Sequence, residues 1–308
     1  MTQNALNAAT MQVTQALANP QRRPVVKTFF DEVTFTATHV VHNAETKDAA
    51  IIDSVLDFDA ASGRTSYTSA DAVIAYARAE GLRVAWILET HAHADHLTAA
   101  PYLKAQLGGQ TGIGDAIRQV QDIFGGVFNE GAEFTRDGAQ FDHLFADGDS
   151  FTLGTLTVHI LHVPGHTPAD IAYVIGDAAF IGDTLFMPDY GTARCDFPKG
   201  DAAQLYQSIR RLLSLPDMTR LFLCHDYLAP GREIYVWETT VSAQRAHNVH
   251  VHDGIDEAAF VAMRTARDKT LGMPRLILPA IQVNMRAGAF PPAERNGTSY
   301  LKLPLNLF

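Results

Sequence analysis

Cysteine is scarce in this chain. Only Cys195 and Cys224 occur in 308 residues, too few for a disulfide framework, and a reducing cytoplasm is the expected compartment. No stretch approaches the roughly 18 uninterrupted apolar residues that a membrane helix requires. Positive charge is outnumbered: 24 Lys and Arg face 34 Asp and Glu, a net charge of −10. That balance argues against nucleic acid or an anionic membrane surface as a partner. A small anionic substrate stays compatible with it if a few arginines concentrate at one site. The first thirty residues hold neither an acid nor a serine. The missing serine argues against an organellar transit peptide, and the missing apolar core argues against a secretory signal. Residues 1–24 therefore read as an N-terminal arm, mobile or weakly helical, ahead of a single domain over 25–308 that ends in a tail. There is also no Gly-rich dinucleotide turn, no repeat and no low-complexity segment.

With 47% apolar residues, the chain can fill a substantial core. Val33–His42 and Ala49–Leu56 are β-branched and aromatic runs separated by a polar stretch, the pattern of a hairpin. Ser69–Glu80 has helical spacing, a Ser capping candidate and a stop at Gly81. Arg83–Leu88 reads as a buried strand, Leu97–Leu107 as a helix stopped at Gly108, and Asp115–Phe128 as a helix and candidate lid. Strands are expected at 141–145, 150–152, 155–162, 171–175 and 178–181, then a helix at 202–214 and a strand at 220–224. Helices are expected near 237–249 and 255–270. The proline-dotted last forty residues read as a surface tail. Mixed strands and helices without a dinucleotide turn point to an α/β fold of two sheets between helices rather than a doubly wound sheet.

The segment Thr90-His91-Ala92-His93-Ala94-Asp95-His96 carries three imidazoles and a carboxylate between the expected strand and the expected helix. Imidazole suits zinc or iron, a carboxylate compensates charge, and the intervening alanines let the backbone wrap closely. Three further candidates share the same context. His166 lies in Val163-Pro164-Gly165-His166-Thr167, Asp183 in Phe180-Ile181-Gly182-Asp183, and His225 directly follows Leu221-Phe222-Leu223-Cys224. Each comes at the end of an apolar strand, so one end of a sheet sandwich can gather them all. His247, His250 and His252 form a second cluster whose spacing fits no metal set.

The ordered set HxHxDH, GHT, GD and CHD resembles the metallo-β-lactamase superfamily. That resemblance implies an αβ/βα sandwich, two mixed β-sheets flanked by helices, with a metal site at one edge. Two branches acting on glutathione-linked sulfur compounds are nearest: glyoxalase II-like thioester hydrolases with two metals, and persulfide dioxygenases with one iron. Gly191-Thr192-Ala193-Arg194-Cys195-Asp196-Phe197, Cys224-His225-Asp226-Tyr227 and Asn284-Met285-Arg286 are similar to segments of the second branch. The resemblance implies one ferrous iron per chain on His91, His166 and Asp183, with positions left open for O2 and for glutathione persulfide, and sulfite and glutathione as products. His93, Asp95, His96 and His225 then support the ligands; in the hydrolase reading they help to hold a second metal, one or two Zn2+ in all. The long arm, an insertion around 118–142 and the tail after Gly288 depart from the shorter members, and the longer bacterial members are more similar. A third reading is a metal- or thiol-binding sensor without turnover.

Arg194 either pairs with a glutathione carboxylate or forms an ion pair with Asp196. Tyr227 and Arg286 are the other candidate substrate contacts, and Asp226 reads as support from behind. Cys195 and Cys224 read as buried thiols. The apolar end of the tail, Leu301, Leu303, Leu305, Leu307 and Phe308, suggests a homodimer.

Overall fold

The computed structural model describes residues 1–307; Phe308 lies outside the described residues. The first half of the chain runs α1 (Gln3–Ala18), β1 (Val25–Asp31), β2 (Thr36–His42), β3 (Asp48–Ile52), β4 (Asp57–Asp59), β5 (Arg64–Ser66), α2 (Thr68–Ala79), β6 (Arg83–Leu88), α3 (Ala100–Leu107), β7 (Gln110–Gly114), α4 (Ile117–Val127) and β8 (His143–Phe145). The second half runs β9 (Ser150–Leu153), β10 (Leu156–His162), β11 (Ile171–Ile175), β12 (Ala178–Phe180), α5 (Ala202–Leu212), β13 (Arg220–Phe222), β14 (Glu238–Thr240), α6 (Val241–His247), α7 (Glu257–Asp268) and α8 (Ile277–Asn284).

Two six-stranded sheets result, ordered β1-β2-β3-β6-β7-β8 and β14-β13-β12-β11-β10-β9. Alternation along the central strands explains why they stack. On β3, Ala50 and Ile52 face the opposite sheet, while Ala49 and Ile51 face α2 and α3. On β11, Ile171, Tyr173 and Ile175 face inward, while Ala172 and Val174 face α1 and α5. Both faces of these strands are buried, so they read as continuous apolar runs rather than as an alternation. The outcome is the four-layer αβ/βα sandwich.

The register puts the chemistry at one edge. Strands β12 and β13 are parallel, and β10 is antiparallel to β11, which is antiparallel to β12. The C-terminal ends of β10, β12 and β13 therefore share one side of their sheet, and these ends lead into His166, Asp183 and His225. The backbone stitches them to the other sheet: Ile171 N–H donates to Thr90 O, and Ala37 N–H donates to Cys224 O.

Several expectations need correction. The arm is a regular helix: α1 buries Ala5, Ala9, Val13 and Ala16 along one stripe against the second sheet. Small alanines gave the sequence little apolar signal, although they allow the close approach. Strand β7 went unread because Gly112 and Gly114 break its pattern; a Cβ on Gly112 would come within 2.6 Å of the Phe145 ring. The α4 helix is no lid, since Ile117, Val120 and Phe124 are fully buried, and Asp115 does not cap it. Strand β14 and then α6 replace the single helix expected over 237–249. The tail contains α8, whose residues 280–284 are all buried. Among the described residues, no helix is long and apolar enough to cross a membrane.

Asp147 anchors α1. It binds Arg211 of α5 (2.7 Å) and accepts from the backbone N–H of His162 (2.9 Å) and Thr2. Burial raises its pKa, but the Arg211 bond and the two N–H donors prevail and bring it from 3.8 to about 2. A folded pKa below the unfolded one stabilises fully above the unfolded value, and that contribution is lost as pH falls from about 4 toward 2. Asp147→Asn is expected to cost about 1–2 kcal/mol at pH 7 and to flatten the acid limb of the stability curve over that window. Urea melts at pH 7 and pH 3 check both.

Candidate metal centre

Two glycines set the site's backbone. Gly182 adopts φ 51°, and a Cβ there would lie 2.6 Å from Thr90 Oγ1. Gly165 adopts φ 142°, and its Cβ would lie 2.3 Å from the Leu205 backbone. Only glycine lets these turns approach so closely, which accounts for the residue before His166 and the one before Asp183.

Asp183 sits at the middle. Its Oδ2 is 3.8 Å from His91 Nε2 and 3.6 Å from His166 Nε2, and its Oδ1 is 3.5 Å from His225 Nε2. The ring orientations are fixed from behind. His166 Nδ1–H donates to Arg194 O (2.7 Å), and His225 Nδ1–H donates to Phe35 O (3.1 Å). Thr90 Oγ1 donates to Asp53 Oδ2 (2.9 Å), so it accepts from His91 Nδ1–H (3.0 Å). All three Nε2 atoms consequently turn a lone pair toward a carboxylate. That arrangement is repulsive unless a cation lies between them, and separations near 3.7 Å suit donors that each sit about 2 Å from a shared ion.

The remaining residues form a second group. His93, Asp95, His96 and His225 bring ligand atoms within 4.8 Å of one another, as do His91, His166 and Asp183. His225 Nε2 lies 3.2 Å from Asp95 Oδ2, and His96 Nδ1 lies 3.3 Å from Asp95 Oδ1. Four buried atoms, His93 Nδ1, His96 Nε2, Asp183 Oδ1 and His225 Nε2, have no hydrogen-bond partner. Buried polar atoms are rarely left this way.

Charge makes the same case. Asp53, Glu89 and Asp183 are buried and Asp95 is partly buried at the cleft, and among the described residues none pairs with a Lys or Arg. Burial and the neighbouring His93 hold His91 well below 6.5, and the same two causes bring His96 to about 4. Burial opposes protonation of His93, but Asp53 and Glu89, 3.0 and 3.2 Å from its Nε2, prevail and raise it well above 6.5. Burial raises Asp183. A cation on the unpartnered Nδ1 of His93 and beside Asp183 would satisfy the carboxylates in place of a proton. The residues thus fit a bound metal ion.

Asp53 and Glu89 carry this support and were not singled out in the sequence. A carboxylate directly after an apolar strand, as in Ile51-Ile52-Asp53 and Ile87-Leu88-Glu89, was the available signal. Asn284 has a sharper role than its motif suggested. Its amide donates to His93 O (2.8 Å) and His96 O (2.7 Å) and accepts from Thr98 N–H (2.9 Å), clamping the histidine loop. Asn284→Ala would leave three buried backbone groups unpaired, and metal affinity should fall roughly 10–100-fold, as for other supporting residues. Metal titration of the purified variant measures it.

A cleft of about 650 Å³ opens on Asp95, His166 and Asp183, walled by Phe35, Phe186, Tyr190 and Tyr227. Tyr227 belongs to it, with its hydroxyl 3.4 Å from Asp95 Oδ2 and its ring stacked on His225. Arg194 also reaches the cleft, but it is held bidentately by Asp196 (2.5 and 2.6 Å) and donates to Gly272 O. Arg286 does not line the cleft; it pairs with Glu130 (2.7 Å) over the Phe134 ring. Asp226 is buried against Arg232 behind the site. His247, His250 and His252 join no metal group among the described residues. Cys195 and Cys224 are buried, and burial pushes both thiols up.

The sequence profile of the metallo-beta-lactamase superfamily matches residues 33–225. The chain belongs to that superfamily. It is 54% identical to a probable metallo-hydrolase of Burkholderia pseudomallei, over 91% of this chain and 99% of that one. It is 48% identical to glyoxylase B2 of Dictyostelium discoideum, over 88% of this chain and 93% of that one. Against the human mitochondrial persulfide dioxygenase the identity is 29%, over 87% and 90%. The crystal structure of ETHE1 from Myxococcus xanthus superposes with a TM-score of 0.67 at 28% identity, covering 86% of this chain and 100% of that one. Three bacterial beta-lactamase hydrolase-like proteins, 50–52% identical, are longer, and this chain spans 65% of their length. The superfamily's members are mostly metal-dependent enzymes, hydrolases or dioxygenases, and this chain carries the His and Asp residues positioned for metal binding.

Proposed function

We propose that the chain is a persulfide dioxygenase that converts glutathione persulfide, O2 and water into glutathione and sulfite, using one iron on His91, His166 and Asp183. The observation that carries this reading is the unequal state of the two groups' carboxylates: histidines of both groups keep free ring nitrogens, but among the described residues Asp183 accepts no hydrogen bond whereas Asp95 does. In the first, every histidine is locked by an Nδ1–H bond and offers a free Nε2 beside Asp183. In the second, Asp95 is already engaged by His96 and by the Tyr227 hydroxyl. Likeness to the persulfide dioxygenases along nearly the whole chain adds support. Iron held by two His and one carboxylate supplies open positions for O2 and for a sulfur ligand. Aromatic side chains wall the cleft, and the Tyr227 hydroxyl, which donates to Asp95 at 3.4 Å, stands where it can accept from a substrate atom or turn from Asp95 to donate to one.

A second reading is a two-metal thioester hydrolase. Asp183 favours it by facing His225 with one oxygen and the first pair of histidines with the other, and the relative named glyoxylase B2 is 48% identical. His225→Ala separates the two. Under the dioxygenase reading the variant keeps about one iron per chain, and under the hydrolase reading metal drops from two to one and thioester hydrolysis is lost. Metal analysis together with assays on glutathione persulfide and a glutathione thioester reads the outcome.

A further inference from the structure

The cleft contains a charge arrangement that the metal centre does not use. Four arginines line it, Arg194, Arg264, Arg267 and Arg275, in a protein whose net charge is −10. Two are spent internally: Arg194 on Asp196, and the fully buried Arg264 on Asp268 (2.7 Å). Arg267 and Arg275 are exposed, and among the described residues neither makes a salt bridge or a side-chain hydrogen bond. Among the described residues, the only carboxylates lining the cleft are Asp95 and Asp183 of the candidate metal centre. The rest of the cleft therefore presents unneutralised positive charge.

His250 adds an oriented donor. Its Nδ1 accepts from the backbone N–H of Thr192 (3.1 Å), which puts the ring proton on Nε2. The ring packs directly over Gly191, where a Cβ would lie 2.1 Å from Nδ1, so its position is fixed. Burial and the nearby Arg264 and Arg267 push its pKa to about 4, and it is neutral at physiological pH. It lines the cleft, and among the described residues its Nε2–H has no hydrogen-bond partner.

We propose that Arg267 and Arg275, with the Nε2–H of His250, bind the carboxylate-bearing tail of the substrate. This inference rests on the proposed action on a glutathione conjugate: the two carboxylates of glutathione meet the two free arginines while its sulfur end faces His91, His166 and Asp183. It replaces the assignment of that role to Arg194 and Arg286, both already neutralised by acids. Arg267 and Arg275 discriminate by charge-assisted hydrogen bonds that are made in ground and transition states alike, so their loss appears in KM.

The test compares glutathione persulfide with its dicarboxylate ester, using the iron-loaded protein and the variants Arg267→Ala/Arg275→Ala and His250→Leu. In the parent, esterification should raise KM about tenfold or more. The double variant should raise KM for the free acid by a similar factor, leave KM for the ester where it was, and keep iron content and melting temperature. His250→Leu should raise KM for the free acid by a few-fold with a smaller effect on the ester, and His250→Gln, which retains a donor, should recover part of it. Equal KM values for acid and ester in the parent, or an unchanged free-acid KM in the double variant, would overturn the proposal while leaving the dioxygenase reading intact. If the protein oxidises no persulfide but hydrolyses a glutathione thioester, the same acid-against-ester comparison is made on the thioester, and its outcome decides the carboxylate site separately from the reaction.

Discussion

Asp183→Ala is expected to yield a folded protein that holds no stoichiometric metal and has no measurable turnover. Asp183 supplies the one carboxylate within reach of three imidazole Nε2 atoms, at 3.5 to 3.8 Å. Without it, His91 and His166 remain as two neutral donors with nothing to offset the ion's charge, and the loss of affinity should exceed the roughly 10–100-fold typical of supporting residues. The effect on stability runs the other way. In the metal-free protein Asp183 is a buried carboxylate whose pKa burial raises, facing lone pairs rather than donors. Metal-free Asp183→Ala should therefore melt no lower than the metal-free parent, whereas metal should stabilise the parent alone. Elemental analysis and melting curves with and without added iron check both halves. Stoichiometric metal in the variant would refute the ligand assignment.

Arg264→Ala should produce the largest loss of stability of any single change away from the metal. Arg264 is 1% exposed. It pairs with Asp268 and donates to Thr192 O (3.1 Å), while Asp268 accepts from Cys195 N–H (2.9 Å). Helix α7 is thus bolted to the 192–195 loop, and the Arg194 carbonyl in that loop orients His166. Truncation leaves Asp268 charged and buried without its partner, a change that costs about 3–5 kcal/mol. For a chain of this size that corresponds to a fall in Tm on the order of 10 °C. Replacing both residues, Arg264→Met with Asp268→Leu, should recover part of the loss, because the buried unpaired charge disappears. Recovery stays incomplete because Cys195 N–H loses its acceptor. Weaker metal binding should accompany the single variant, since the 192–195 loop that carries the carbonyl orienting His166 loses its tether to α7.

Much of the site could be read from the sequence because the candidate metal ligands follow the points where apolar strands stop. Strands β6, β10, β12 and β13 end within a few residues of His91, His166, Asp183 and His225, and strand ends are where side chains converge on an opening. The two-sheet architecture follows from mixed strand and helix order without a dinucleotide turn, and its αβ/βα form from the resemblance carried by the histidine motifs. What escaped notice has physical reasons. Helix α1 packs through alanines, so its buried stripe carried little apolar signal. Strand β7 is glycine-rich because neighbours crowd its backbone. The cleft residues Arg267 and Arg275 sit on or after α7, more than eighty residues beyond Asp183, and only the fold brings them to the same opening. A sequence motif could nominate Arg194 and Arg286, but their acidic partners, Asp196 two residues away and Glu130 far along the chain, depend on the packed structure.

The central claim is that one iron on His91, His166 and Asp183 serves oxidation of a persulfide. Anaerobic purification with metal analysis, followed by oxygen uptake on addition of glutathione persulfide, tests it most directly. Near one iron per chain, with rapid oxygen consumption and sulfite release, is the predicted result. Two metals per chain, no oxygen uptake and hydrolysis of a glutathione thioester would contradict it.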